Sequence, residues 1–299
     1  MENLNLSFMG ITEASVLMFG VPLVLAMVAI EVLVASVRNT RVYHKGDTLG
    51  SLGLLAGNIV ANGLVKALAV AVYLFAYEYR LFNFSETLQP WLLVIVAFLL
   101  IDLVFYFWHR ASHRVRFLWA VHQGHHSSEE FNFVVSLRQP WLAPILKIPF
   151  FAVLPLVGLD PSVLLVVGAM ATLYGVWTHT RVVPKLGLLE GILATPSAHR
   201  VHHGSNPEYI DKNYANMFIF IDRIFGTYQP EEGEVKYGLT KNLKTFNPFA
   251  ITIAEWKKIW ADLKTARSPA EVFGYLFGPP GWQPEDINSK RDLTASERN

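Results

Sequence analysis

"PWLLVIVAFLLIDLVFYFWHRASH", running from Pro90 to His113, starts as a membrane segment and ends on a pair of imidazoles. Between Pro90 and Trp108 the only charged side chain is Asp102. The run is long enough to carry a helix across roughly 30 Å of hydrocarbon. His109 and His113 follow at once, four residues apart, so on a continuing helix both rings project from one face. That pattern predicts an all-α, multi-pass membrane protein whose spans deliver histidines to one side of the bilayer.

Four more apolar runs surround this one. They extend from about Ala14 to Val37, Leu52 to Tyr77, Pro140 to Leu159 and Pro161 to Trp177, with "GLDP" as a tight turn between the last two. Lys147 and three prolines interrupt the fourth run, so the last pair reads as a shallow re-entrant hairpin, giving four to five spans in all. Composition agrees: 52% of the 299 residues are hydrophobic and 16% are charged, too little charge for a soluble domain of this length. A net charge of +1 leaves no electrostatic footprint for nucleic acid. With no cysteine, any metal must be held by nitrogen and oxygen. The opening "MENLNLSFMGITEAS" lacks a basic region and a small-residue cleavage site, so the first run reads as a retained helix.

Basic residues set the orientation. Arg38, Arg41 and Lys45 follow the first run, Arg110, Arg114 and Arg116 the third, and Arg181 and Lys185 the fifth. The intervening connection "YEYRLFNFSE" has one arginine and two glutamates. The positive-inside rule then puts the N-terminus outside and every histidine motif on the cytoplasmic face, whether of a bacterial inner membrane or the endoplasmic reticulum. Three regions follow: membrane spans over 1–89, a catalytic region over 90–230, and a cytoplasmic or interfacial segment over 231–299. Within the last, "PFAITIAEWKKIWADLKTA" places Ile253, Trp256, Ile259, Trp260 and Leu263 at helical spacing. That helix lies at the membrane interface or packs on the domain's own core. The tail "NSKRDLTASERN" reads as frayed.

Nine of the ten histidines fall between His109 and His203. "HRASH" holds His109 and His113; "HQGHH" holds His122, His125 and His126; "HRVHH" holds His199, His202 and His203; His179 stands alone in "WTHT". One such pair arises readily by chance, but three matched motifs support one another as a metal site in a helical cap. Eight or nine imidazoles exceed the four to six positions of one transition metal, so two metals fit the count.

The three motifs resemble, in order, the histidine boxes of the fatty acid hydroxylase/sterol desaturase superfamily, with its hydrophobic segment between the second and third. "FLWAVHQGHHSSEEFNFVVSLRQ", "TPSAHRVHHGSNPEYIDKNYANMFIFIDRIFGTY", "KYGLTKNLKTFNPF" and "GPPGW" are similar to the alkylglycerol monooxygenase branch. The resemblance covers roughly Asp102 to Trp282. It implies a di-iron centre ligated by the eight box histidines with His179 as the family's additional histidine; zinc is able to occupy the same ligands in purified protein. It also implies an oxygen-dependent monooxygenase that hydroxylates a lipid C–H bond, an ether lipid if the branch holds. One position departs: where that branch carries a glutamate directly after the second histidine of box one, this chain has Arg114.

Asp102, seven residues before His109 on the same helical face, is expected to orient a ligand imidazole, since a carboxylate inside a span is costly and functional. Glu31 receives the same reading. Glu129, Asn132, Arg138 and Gln139 after box two, and Asn206, Asp211 and Asn213 after box three, are candidates for the same supporting role or for ordinary loop hydrogen bonds. "DRIFGTY", from Asp222, resembles the family's closing motif, and His44 reads as solvated. A cytochrome b5-like haem needs two further histidines and only His44 is spare, while no dinucleotide-binding glycine fingerprint appears. Electrons are therefore expected from a tetrahydropterin, a separate reductase or another electron carrier. Sterol, ornithine-lipid and fatty acyl hydroxylases or desaturases are rivals with the same boxes. A divalent-metal transporter or sensor is the rival of another class, and it predicts polar residues along several spans, which this chain lacks.

Overall fold

A computed structural model describes residues 6–284 of the chain. The tail read as frayed and the first five residues lie outside the described part. The order is β1 (Ser7–Phe8), β2 (Ile11–Thr12), α1 (Glu13–Val37), α2 (Lys45–Glu78), α3 (Phe84–Thr87), α4 (Pro90–Arg114), α5 (Arg116–His126), α6 (Ala143–Phe151), α7 (Val153–Val157), α8 (Pro161–Trp177), α9 (Pro196–His202), α10 (Phe220–Ile224), α11 (Pro248–Leu263) and α12 (Pro269–Phe277). Apart from the two-residue hairpin β1–β2, the described elements are helical.

Three helices, α1, α2 and α4, are long and apolar enough to cross a membrane. Their outward residues include Met18, Phe19, Leu25, Leu33, Val60 and Leu64, all well exposed. Apolar surface on that scale is stable only against hydrocarbon or another protein. The inner faces hold the bundle together: Leu93, Ala97 and Ile101 of α4 pack on Val163, Leu164, Val167 and Ala171 of α8.

The fourth apolar run breaks as its prolines require. Pro149 lies inside α6, which ends at Phe151, and Pro155 falls within the short α7. Gly158, at φ +130, ends α7 against the Phe82 carbonyl. The amides of Leu81 and Phe82 donate to the carbonyls of Leu156 and Val157 at 2.9 and 3.2 Å. The hairpin tip therefore lies beside the loop that follows α2, and this loop supplies partners for its unpaired carbonyls.

α2, at 34 residues, measures roughly 51 Å, well beyond the hydrocarbon thickness. Its first turns stand clear of the bundle and join the cap, where Asp47 and Ser51 are buried. His44, read as solvated, caps this helix: its Nδ1 accepts the Asp47 amide, and its ring packs on Phe246. The cap is completed by α5, α9, α11 and α12.

The amphipathic reading of α11 holds, and the stripe is divided: Ile259 is buried and Trp256 packs against the cluster around Trp108 and Val121. Ile251, Glu255 and Ile259 are buried, whereas Ile253 and Trp260 point outward. The reason is Arg116 at the start of α5, which pairs with Glu255 at 2.9 Å and Asp262 at 2.6 Å and turns that stripe inward.

Candidate metal centre

The end of α4 supplies box one. At Val115 the backbone becomes extended (φ −112, ψ 116) and its amide closes on Ala111, so α5 leaves in a new direction and packs back on α4. That break brings box two, on α5, against His109 and His113. Box three sits on the short α9, begun by Pro196 and capped by the Thr195 side chain on the Ala198 amide.

The nine histidines sort into two groups. His109, His113, His122, His126 and His202 form one; His125, His179, His199 and His203 form the other. Within each group the nearest ring nitrogens all lie within 4.8 Å of one another. Boxes two and three are each split between the groups, where the motif spacing suggests a common point for each. Adjacent residues on a helix diverge by about 100°, so His125 and His126, or His202 and His203, cannot face the same way. His122 and His126, four apart, do; so do His199 and His203.

The rings are held from behind by backbone carbonyls. His109 Nδ1 lies 2.7 Å from the Tyr214 oxygen, and His202 Nδ1 lies 2.9 Å from that of Lys212. His179 Nδ1 lies 2.7 Å from Gly175, and His125 Nδ1 lies 3.3 Å from Arg138. A carbonyl only accepts, so each of these Nδ1 atoms donates and each Nε2 presents a lone pair inward. The consequence is sharpest in the second group, where His125 Nε2 and His179 Nε2 face each other at 3.3 Å. His199 Nε2 lies 3.0 Å from the same His179 atom. His113 Nε2 and His203 Nε2, one in each group, are buried without a hydrogen-bond partner. Lone pairs converging in this way repel unless a cation lies among them. Burial, then the neighbouring imidazoles, hold His122, His126, His199 and His203 well below the ordinary imidazole value, and burial takes His179 down to about 4. Neutral imidazole is the metal-binding form. Imidazole sets of this kind suit iron, zinc, copper or nickel, so the donors fit the two iron ions that the box motifs imply.

The supporting residues act through the backbone. Asp102 is buried but touches no imidazole; its carboxylate accepts the amides of Asn216, Met217 and Phe218 at 2.8, 3.1 and 2.6 Å. Asp222, from "DRIFGTY", accepts those of Tyr214 and Ala215 at 2.7 and 2.8 Å. Two carboxylates thus satisfy five successive amides, and the strip they fix offers the Tyr214 carbonyl to His109. Asp102→Ala is expected to cost at least about 3 kcal/mol, by stranding three buried donors, and Asp102→Asn less. Thermal unfolding in detergent micelles measures the difference.

Asn213 is also buried without meeting an imidazole: its Nδ2 donates to Ala198 and Gln229, tying α9 to the closing segment. Glu129, just beyond α5, is exposed, and no hydrogen bond joins it to an imidazole among the described residues. Glu31 is fully buried and accepts from the Phe133 amide at 3.0 Å, from the Tyr43 hydroxyl and from Thr180, the neighbour of His179. Arg114 is exposed and pairs with Asp211 at 2.6 Å, whose other oxygen lies 3.7 Å from His113 Nδ1. Burial would raise the Asp211 carboxyl, yet His113 and Arg114 beside it hold it down to about 2.

Sequence reading overlooked the four carbonyls, since a backbone acceptor leaves no residue-type signal. It also overlooked an aromatic cover, in which Phe131 stacks on His179 and Tyr237 on Phe131, with centroids 5.6 and 5.0 Å apart.

Residues 94–227 match the family described as Fatty acid hydroxylase. The chain carries a fatty acid hydroxylase domain. Its curated relatives include the alkylglycerol monooxygenase of Homo sapiens, 39% identical over 80% of this chain and 53% of that protein. The protein of the same name from Xenopus tropicalis is 36% identical over 86% and 57%, and that from Danio rerio 39% over 76% and 53%. The chain spans about half the length of these relatives. No solved structure matches it.

Proposed function

We propose that the chain is a membrane-bound, oxygen-dependent di-iron monooxygenase that hydroxylates a lipid C–H bond, with an ether lipid as substrate. The observation that carries this reading is the pair His125 and His179, whose Nε2 atoms oppose each other while both Nδ1 atoms are committed to carbonyls. Bound iron, held by the five imidazoles of one group and the four of the other, would supply oxygen activation for insertion into a C–H bond.

The protein's own contribution is geometry and exclusion of water. Backbone carbonyls fix the tautomer and direction of four rings. The Phe131–Tyr237 stack covers the second group, with Phe131 against His179, His199 and His203. The similarity to alkylglycerol monooxygenases supports an ether substrate. Hydroxylation at the carbon beside an ether oxygen leaves a hemiacetal, which collapses to an aldehyde and a free glycerol hydroxyl. The reaction takes one dioxygen, two electrons and two protons and releases one water. Within the described residues, nine histidines sit in the two groups and His44 caps α2, so an external donor, a tetrahydropterin or a separate reductase, fits best. The cytoplasmic side is favoured for the site because Arg38, Lys45, Arg110, Arg114 and Arg181 cluster at the end of the bundle where Arg38 meets the Val182 carbonyl.

The test is metal analysis with oxygen-dependent turnover of ether lipids, acyl lipids and sterols by the full-length protein. Two irons per chain and aldehyde release from ether lipids are expected. Turnover of acyl lipids alone would remove the ether assignment, and fewer than two metals per chain would remove the di-iron centre.

A further inference from the structure

Helix α6, "APILKIPFF", carries a single cation, Lys147, among apolar side chains. Leu146 and Phe150 on either side pack with Trp108 of α4. Among the described residues no carboxylate pairs with Lys147; its close partner is the Phe105 ring, with Nζ 5.8 Å from the centroid. Phe105 packs edge-on against His109, ring centroids 5.1 Å apart. The ammonium thus lies one aromatic ring away from the first histidine group, on the apolar helix α6, and the residue is half-buried.

An ammonium in an apolar segment is costly without a counter-charge, and a charge retained there usually serves a ligand. Lys147 has an aromatic face in place of an anion. The ligand that approaches from this side is the lipid whose C–H bond is oxidised. In a glycerol ether the polar head is only a few bonds from the ether carbon, so the head must rest beside the histidines whenever that carbon does.

We propose that Lys147 receives the anionic head of the substrate lipid, a phosphate ester on the glycerol unit, and thereby selects phosphate-bearing ether lipids over neutral ones. This rests on the ether-lipid reading above. Lys147 is a specificity residue: it holds the head and takes no part in the oxidation.

Equilibrium binding to the full-length protein in nanodiscs tests it, with an O-alkylglycerol, its phosphate ester of the same chain length, and inorganic phosphate as probes. The wild type is expected to bind the phosphate ester about tenfold more tightly than the neutral lipid, the gain of one charge-assisted contact. Lys147→Gln should erase that preference while leaving neutral-lipid binding and metal content unchanged, and Lys147→Arg should keep it. Should the Gln variant fold poorly, Lys147→Met replaces it. A preference that survives both neutral substitutions overturns the proposal, and so does inorganic phosphate competing as well as the lipid ester. An intact, Lys147-dependent preference without ether-lipid turnover would overturn the proposed reaction and leave the anion site standing.

Discussion

Replacing His179 by alanine is expected to empty one metal position and leave the other filled. His179 is the member of the four-imidazole group that lies outside the boxes, and it lies between its partners, 3.0 Å from His199 and 3.3 Å from His125 through Nε2. Its removal leaves three rings with no donor between α5 and α9. The five-imidazole group keeps all its members, and the Tyr214 and Lys212 carbonyls still hold His109 and His202. Metal content should therefore fall from two ions per chain to one. Turnover should fall by more than about 100-fold, since losing even an outer partner of a ligand costs about 10–100-fold. His113→Ala should give the mirror result, emptying the other position. Two ions retained in His179→Ala, with turnover near that of the wild type, would mean that the two groups do not bind separately.

Arg138→Met is expected to be the most destabilising change away from the histidines. Arg138 is 1% exposed and joins three parts of the molecule. Its guanidinium donates to Asp47 at 3.1 Å and Ser51 at 3.2 Å on α2, and to the Gly124 carbonyl at 2.9 Å and the Ser127 hydroxyl at 3.0 Å around the end of box two. Its own carbonyl faces His125. Methionine fills much of the space but strands the buried Asp47 carboxylate, and breaking a buried pair from one side costs about 3–5 kcal/mol. Adding Asp47→Asn should recover part of that loss, because the uncompensated charge goes with it. A double-mutant cycle from thermal unfolding measures the coupling. Additive losses would show that the pair carries no coupling energy.

These two residues mark how unevenly the site was legible. His179 carried its own signal, being a histidine at the end of an apolar run and part of a nine-histidine excess. Arg138 carried less, because an arginine soon after box two fits a supporting role or an ordinary loop hydrogen bond equally well until α2 is seen to reach it with Asp47 and Ser51. Asp102 lies between. A lone carboxylate in a span announces a function, but whether it meets an imidazole or a row of amides depends on which chain segment docks beside it. Here that segment is 214–218, more than one hundred residues away in sequence. The packing of α11 was open for the same reason: periodicity finds an apolar stripe, while the pairing of Glu255 with Arg116, a long-range partner, shows which side turns inward.

The sequence by itself determined the class of the molecule and singled out the nine histidines that the fold gathers into two groups. Apolar runs of membrane length leave the backbone no alternative to helices, since every amide must be paired within the segment, and imidazoles at three- and four-residue spacing share a helical face whatever the fold. Only the tertiary structure decided how nine rings divide into five and four, which carbonyls hold them, and where Lys147 rests. Each of those depends on the angle at which α4, α5, α8 and α9 meet, and that angle is set by packing between residues far apart in the chain.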